Sequence, residues 1–281
     1  MKGILLACLG VLILTPDALL IRLSGLDPAP LVAWRGLAMG TLFLTAAVLT
    51  GQIRHVARLA SAVGAGLILA QWANAALFAP AIAIAPVALV LIAVATVPIW
   101  AALLSWLLYR QPTRPATWIT IAVVCAGIVL AMSGKGDVTL TTGALPGVAC
   151  GLGVAISLAL SFTLLRHNPE MPLLPAVGSG SILAGLSAFS LTDIGEMTSG
   201  TTWAIALASF VVLPLSFYLM SEASRHTASV NVSLVLLLET VLGPVWVWTF
   251  LREAPTPNMF VGGAIVVTSL GLYLWHLRRR T

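Results

Sequence analysis

Three charged residues stand inside long apolar stretches of this sequence: Asp17, Arg35 and Glu239. If those stretches cross a membrane, a charge at the bilayer centre costs about 2.5–3.5 kcal/mol, so it needs a cavity or a partner. Asp17 follows Pro16, which lacks a backbone N–H and frees a carbonyl one turn earlier. Asp17 therefore serves either an ion or substrate site beside a broken helix, or the backbone freed at Pro16. The sequence leaves both roles open.

Asp17 and Arg35 lie about equally far from the polar loop that separates the first two apolar stretches. At the rise of an α-helix, both lie about 10 Å below the membrane surface. This matched depth predicts either an ion pair or one aqueous pocket lined by both. Glu239 lies near the middle of the ninth stretch. Because a buried carboxyl group suits proton binding and release, Asp17 and Glu239 are the predicted proton-coupling residues. The alternative for Glu239 is a protonated carboxyl hydrogen-bonded between helices.

Amides and tryptophans accompany these charges at the same depth. An amide inside a lipid-depth helix needs a hydrogen-bond partner. A tryptophan ring over an ammonium group contributes about 0.5–2 kcal/mol. Such residues line a polar substrate cavity or, alternatively, serve interhelical hydrogen bonding and packing alone. The predicted substrate-binding residues are Asp17, Trp34, Arg35, Gln71, Trp72, Asn74, Trp100, Asn231 and Glu239.

The composition excludes a soluble globular domain. Of the 281 residues, 59% are hydrophobic and 8% are charged, and the mean hydropathy is +1.05. Soluble domains are typically about 45–50% apolar and about 25% charged. Since a membrane-spanning helix needs about 20 apolar residues, ten helices with short loops use nearly the whole chain. The sequence predicts an all-α integral membrane protein with ten transmembrane helices at 4–23, 30–50, 61–80, 86–108, 116–133, 144–165, 174–191, 201–221, 228–250 and 259–277.

The basic residues predict the orientation of the chain. With the N-terminus in the cytoplasm, ten of them fall in inside segments and three in outside segments, as the excess of Lys and Arg in cytoplasmic loops requires. We therefore predict a multi-pass protein of the inner (plasma) membrane with both termini cytoplasmic. The inside residues are Lys2, Arg54, Arg58, Arg110, Arg114, Arg166, Arg225, Arg278, Arg279 and Arg280, and the outside residues are Arg22, Lys135 and Arg252.

The second half of the chain repeats the first at an offset of 142 residues. Moving residues 86–133 forward by that offset places them on 228–275, where Arg110 meets Arg252. Because each half holds five predicted helices, an odd number, the second half enters the membrane from the opposite side. Such inverted repeats place a binding site near the midplane between the halves. The two predicted repeats are 1–138 and 139–281.

Two motifs resemble the EamA-type proteins of the drug/metabolite transporter superfamily. The second helix opens with Trp34-Arg35-Gly36, where the family commonly has an aromatic residue followed by Arg. The fourth helix ends at Tyr109-Arg110-Gln111-Pro112 and its repeat at Leu251-Arg252-Glu253-Ala254-Pro255, where the family usually has a Gly-Glu-x-Pro-like turn. Arg replaces Gly in both copies. The resemblance covers nearly the whole chain and implies a ten-helix alternating-access transporter, commonly an exporter of amino acids, related metabolites or drugs.

Residue patterns of several other functions are missing from the sequence. Cys8, Cys125 and Cys150 lack metal-ligand spacing, and the chain has neither a Gly-rich nucleotide loop nor a nucleophile–base pair at membrane depth. We therefore predict no enzymatic activity, cofactor, metal or nucleic-acid partner. The expected partners are a small-molecule substrate and the lipid bilayer, for a monomer or homodimer. A membrane channel and an intramembrane enzyme acting on a lipid-soluble substrate are the alternatives.

Small residues and prolines predict how the helices pack and bend. Gly36 and Gly40 lie four residues apart, a spacing that lets helix backbones approach closely. We assign them to packing between helices of the same chain. Pro98 and Gly243-Pro244 predict kinks in the fourth and ninth helices.

Overall fold

The computed structural model describes residues 2–85, 87–133, 142–252 and 256–278. Every element in these ranges is helical. The predicted boundary between the repeats, at 138 and 139, lies outside the described residues, as do Lys135, Glu253, Arg279 and Arg280. The α-helices are α1 (Lys2–Leu14), α2 (Asp17–Ser24), α3 (Pro28–Leu49), α4 (Ala62–Ile84), α5 (Val87–Val94), α6 (Val97–Tyr109), α7 (Pro115–Met132), α8 (Leu145–His167), α9 (Leu173–Phe189), α10 (Thr202–Leu207), α11 (Leu213–His226), α12 (Ser229–Leu236), α13 (Leu238–Leu251) and α14 (Pro257–Arg278).

Most of the predicted spans are present as long apolar helices or helix pairs. Eight are long and apolar enough to cross a membrane, and a ninth is counted if the 3₁₀ segment Gln52–Ala60 is joined to α4 across a 99° bend. The predicted span 174–191 corresponds to α9, a shorter apolar helix of 17 residues. The chain is thus a multi-pass membrane protein, and the count of ten spans stays a prediction. The eight are Lys2–Ser24, Pro28–Leu49, Leu89–Tyr109, Pro115–Met132, Leu145–His167, Thr202–His226, Ser229–Phe250 and Pro257–Leu277.

Prolines accompany three interruptions inside these spans. Proline cannot donate the backbone hydrogen bond that a continuous helix requires. The first span breaks between α1 and α2, at Thr15 and Pro16, and the fourth breaks between α5 and α6, just before Pro98. α10 passes into α11 through a wide π-helical turn at Ala208–Val212, which ends two residues before Pro214. The kink predicted from Pro98 is therefore confirmed.

The breaks in the fourth and ninth predicted spans fall 142 residues apart. α5 and α6 separate at Ala95 and Thr96, and α12 and α13 separate at Leu237, which is the offset of the sequence repeat. Pro244, by contrast, lies inside α13. The predicted position of the ninth-helix kink was wrong, because the interruption follows the repeat and not the proline.

The fourth span and its repeat also end in the same way. Arg110 and Arg252 have φ angles of 55° and 59°, which makes them the non-glycine residues with positive φ in the described ranges. The N–H of Arg110 donates to Trp106 O, and the N–H of Gln111 donates to Ser105 O, so carbonyls at the helix end are satisfied. Glycine adopts this left-handed conformation without a Cβ penalty. Both arginines therefore occupy positions whose backbone favours glycine.

Helix contacts follow the same division into halves. α3 packs against α9, α7 against α14, and α6 against α12, while α4 packs against α8 and α1 against α11. Exchanging the two halves maps each of the first three pairs onto itself and maps the last two pairs onto each other. The main hydrophobic core is drawn from both halves. The interface between the halves is thus the centre of the bundle.

α3 and α9 approach each other closely where both carry glycine. A Cβ on Gly36 would lie 2.5 Å from the backbone nitrogen of Gly185, and a Cβ on Gly40 would lie 2.6 Å from the side chain of Ile182. Any side chain at Gly36 would force the two backbones apart. The prediction that these glycines pack helices of one chain together is confirmed.

Glycine at the left-handed helix ends is expected to stabilise the protein. A non-glycine residue in this conformation costs about 1–2 kcal/mol, and part of that gain is lost because glycine is more flexible in the unfolded chain. We expect Arg110→Gly to raise the melting temperature of the detergent-solubilised protein by about 2–4 °C. Arg114→Gly is the control, because Arg114 has a φ of −63°. Equal melting of the two variants would contradict the assignment.

Candidate functional site

The candidate site begins at the break in the first span. Pro16 has no N–H to donate to Leu12 O, and the Thr15 hydroxyl donates to that carbonyl instead, at 2.8 Å. The indole N–H of Trp246, on α13, donates to the same hydroxyl oxygen at 2.9 Å. Thr15 is 3% exposed. Thr15 therefore satisfies the backbone freed at Pro16, which was one of the two roles predicted for Asp17.

Asp17 pairs with Arg35. Asp17 is the first residue of α2 and is buried, and Arg35 lies on α3. Arg35 Nη1 lies 2.9 Å from Asp17 Oδ2, in an ion pair that falls short of an aligned hydrogen bond. The other carboxylate oxygen, Oδ1, is buried without a hydrogen-bond partner in the described residues. One acceptor of Asp17 is thus left for a ligand.

Glu239 joins this pair from the second half. It lies in the first turn of α13, two residues after the break at Leu237, and is half-buried. It is close enough to interact electrostatically with both Asp17 and Arg35. Both acids lie in the first turn of their helices, where the positive end of the helix dipole favours a carboxylate. The three charges form one group, the charged cluster (Asp17, Arg35 and Glu239), with one cation for two carboxyl groups.

One face of α13 packs against the broken first span. Glu239, Gly243 and Trp246 recur at helical spacing, and a Cβ on Gly243 would lie 3.7 Å from the Cβ of Ala18 and 3.9 Å from Thr15 O. Sequence reasoning missed Thr15 and Trp246 as site residues. The available signal was that Trp246 follows Glu239 by two helical turns and so lies on the same face. Nothing in the sequence identifies Thr15 as its partner.

Three predicted substrate residues lie together on α4. Gln71 is buried, and its Nε2 donates to Ser181 Oγ at 3.2 Å, an interhelical bond of the kind given as the alternative role. Asn74 is also buried, whereas Trp72 is 39% exposed on the same apolar face as Leu69. No described hydrogen bond joins these three residues to the charged cluster. Their part in substrate binding stays a prediction.

Trp34 and Trp100 are both held by their indole N–H groups. Trp34 donates to Met197 O at 2.9 Å and contacts Phe210 edge-on, with 6.4 Å between the ring centroids. Trp100 donates to Thr96 Oγ1 at 3.1 Å, beside the break in the fourth span. Because each N–H already has a partner in the protein, only the ring surfaces are left to contact a substrate.

Asn231 belongs to a separate polar group. Its side chain accepts a hydrogen bond from the Tyr273 hydroxyl at 2.7 Å and donates to Thr227 Oγ1 at 2.9 Å. The Tyr273 hydroxyl also lies 3.1 Å from Thr117 Oγ1, so the group links α7, α12 and α14. No described contact joins Asn231 to the charged cluster. Within the described ranges, no group of three His, Cys, Asp or Glu side chains is placed to hold a metal ion.

Comparisons with known proteins agree with a two-copy architecture. A sequence model of the EamA-like transporter family matches residues 1–133 and 145–275. Among 27 matching chains of solved structures, one described only as "Crystal structure of protein" has a TM-score of 0.81 at 19% sequence identity, covering 99% of this chain and 98% of its own. At that identity the likeness shows the fold alone. No curated protein matches the sequence.

Removing the Thr15 hydroxyl is expected to destabilise the centre of the bundle. Thr15→Val leaves Leu12 O and the Trp246 N–H unpaired, and each unsatisfied buried group costs about 1–3 kcal/mol. We expect a melting temperature several degrees below wild type for Thr15→Val and near wild type for Thr15→Ser. Trp246→Phe removes only the donor and gives a smaller loss, whereas Trp248→Phe, two residues along α13, is neutral. Equal melting of Thr15→Val and Thr15→Ser would contradict this role for the hydroxyl.

Proposed function

Because the chain belongs to the EamA-like transporter family, we propose that it exports small polar or amphipathic metabolites, such as amino acids or drug-like compounds, across the inner (plasma) membrane. The proposed mechanism is alternating access, in which the two halves rock around a site between them and open it to one side at a time. The observation that carries the proposal is the charged cluster, which takes buried groups from both halves.

The chemistry of the charged cluster suits a zwitterion. A guanidinium binds a carboxylate, and a carboxylate binds an ammonium group, through charge-assisted hydrogen bonds. Asp17 Oδ1, which has no partner in the described residues, supports an ammonium ligand. Arg35 supplies the cation for a substrate carboxylate. An amino acid carries both groups on one small molecule.

Asp17 and Glu239 are also the proposed proton-coupling residues. A carboxyl group held in a low-dielectric site exchanges a proton with water when that site opens. We expect the transport rate of the wild type to vary with pH and the Asp17→Asn and Glu239→Gln variants to flatten that dependence. A pH profile unchanged in both variants would remove proton coupling from the proposal.

Contacts between loops support the proposed orientation. Arg58 Nη1 donates to Glu170 O at 2.8 Å, which joins two segments predicted to be cytoplasmic. Thr201 N donates to Ser24 O at 2.8 Å, which joins two segments predicted to be outside. We propose that both termini are cytoplasmic and that the second half is inserted inverted relative to the first.

Untargeted mass spectrometry of medium and cytosol tests the proposed export. We compare cells overexpressing the wild type, Asp17→Asn or Asp193→Asn, a control in which the replaced acid is exposed in a loop. We expect a compound to accumulate in the medium with the wild type and Asp193→Asn but not with Asp17→Asn. Identical profiles for wild type and Asp17→Asn, with both proteins confirmed in the membrane, would contradict export through this site.

The same compound separates a transporter from the alternatives. Proteoliposomes loaded with it should accumulate labelled compound by counterflow if access alternates. Flux without counterflow would favour a channel. Chemical conversion of the compound in place of movement would favour an intramembrane enzyme.

Neutralising the whole ion pair separates a structural role from substrate binding. Removing one partner of a buried pair costs about 3–5 kcal/mol, so Arg35→Gln alone is expected to melt well below wild type. We expect the double variant Asp17→Asn/Arg35→Gln to recover most of that stability but not the transport. Melting and flux are measured on one preparation. Restored transport in the double variant would assign the pair to structure alone.

A further inference from the structure

The 3₁₀ segment Gln52–Ala60 lies across the direction of the membrane-spanning helices. α3 ends at Leu49, Gly51 turns the chain with a φ of 72°, and the segment then meets α4 at 99°. At about 2 Å of rise per residue, nine residues extend about 18 Å in this crosswise direction. A helix nearly perpendicular to its neighbouring span lies parallel to the membrane surface.

The crosswise position is built into the residues of the bend. Ser61 Oγ accepts the N–H of Gly64 at 3.2 Å and donates to Arg58 O at 2.7 Å, which caps α4 and closes the end of the segment. Leu59 is buried, and a Cβ on Gly64 would lie 2.4 Å from the Leu59 Cα. At the other end, Gln52 Oε1 accepts the N–H of Leu174 at 3.2 Å. The segment is therefore anchored at both ends.

The 3₁₀ geometry sorts the side chains of this segment into columns. With three residues per turn, Ile53, Val56 and Leu59 share one column. Leu59 is buried against the bundle, whereas Ile53 and Val56 are 37% and 45% exposed. The neighbouring columns carry Arg54 on one side and His55 with Arg58 on the other. An apolar strip flanked by basic residues is the pattern of a helix that lies in a membrane interface.

We infer that the segment Gln52–Ala60 rests in the membrane interface and binds the headgroups of anionic phospholipids. The apolar column covers Ile53 and Val56 with acyl chains, and the basic side chains extend to the phosphate layer. The segment contains no acidic residue, so its charge is complementary to an anionic surface. Each such arginine near an anionic leaflet contributes about 1 kcal/mol. The inference holds whatever the transporter carries.

Spin labels on adjacent residues test the depth of the segment. In full-length protein lacking Cys8, Cys125 and Cys150, reconstituted in phosphatidylcholine with phosphatidylglycerol, a label is placed at Val56→Cys or Ala57→Cys. We expect the Val56 label to be more accessible to oxygen and the Ala57 label to be more accessible to a water-soluble nickel chelate. Equal chelate accessibility at both positions would place the segment in water and overturn the inference.

Lipid selectivity tests the headgroup contact. The probe is spin-labelled phosphatidylglycerol, with spin-labelled phosphatidylcholine as the reference lipid. We expect Arg54→Gln to lower the relative association of phosphatidylglycerol by about fivefold and Arg54→Lys to retain it. Arg114→Gln, an exposed arginine outside the segment, is the matched control. An equal fall in Arg54→Gln and Arg114→Gln would overturn the inference, because general basic charge would then account for the selectivity.

Discussion

Polar groups at lipid depth have no bulk water to bind, and this constraint organises the centre of the protein. Pro16 breaks the first span, and the carbonyl that it leaves unpaired is satisfied by Thr15. Thr15 in turn accepts the Trp246 N–H, which holds α13 beside the break. Since Thr15 satisfies the backbone, Asp17 is left to meet Arg35 and Glu239. One proline thus sets the position of the charged cluster through a short chain of hydrogen bonds.

The two halves agree in backbone and differ in charge. Their breaks and left-handed helix ends recur at the offset of 142 residues. At the same offset, Glu239 corresponds to Val97, and Asp17 corresponds to Ala159 on the unbroken helix α8. The repeat therefore duplicates the fold but not the site. Two charges come from one copy and one from the other, which makes the two faces of the protein chemically different.

Hydropathy predicts the apolar helices because the bilayer imposes one length and one polarity on every span. Matched depth also predicts that Asp17 and Arg35 meet, since they lie on consecutive helices joined by a short loop. The link between Thr15 and Trp246 joins positions 231 residues apart, and hydropathy does not say which distant helices are neighbours. Residue type placed Asn231 in the predicted cavity, yet its amide bonds within the protein. Polarity predicts that a group needs a partner without predicting which partner it finds.

Arg35 is one cation facing two carboxyl groups, and the distribution of the three between the halves gives the proposed cycle its direction of reasoning. Asp17 and Arg35 belong to the same half and lie in contact at 2.9 Å, so they move together. Glu239 belongs to the other half, and rocking changes its distance from Arg35. When that distance grows, an ionised Glu239 loses its compensating charge in a medium where an unpaired charge is costly. It then requires a proton or a substrate ammonium. Exchange of one for the other follows from three side chains on two moving bodies, and no single residue of the cluster produces it alone.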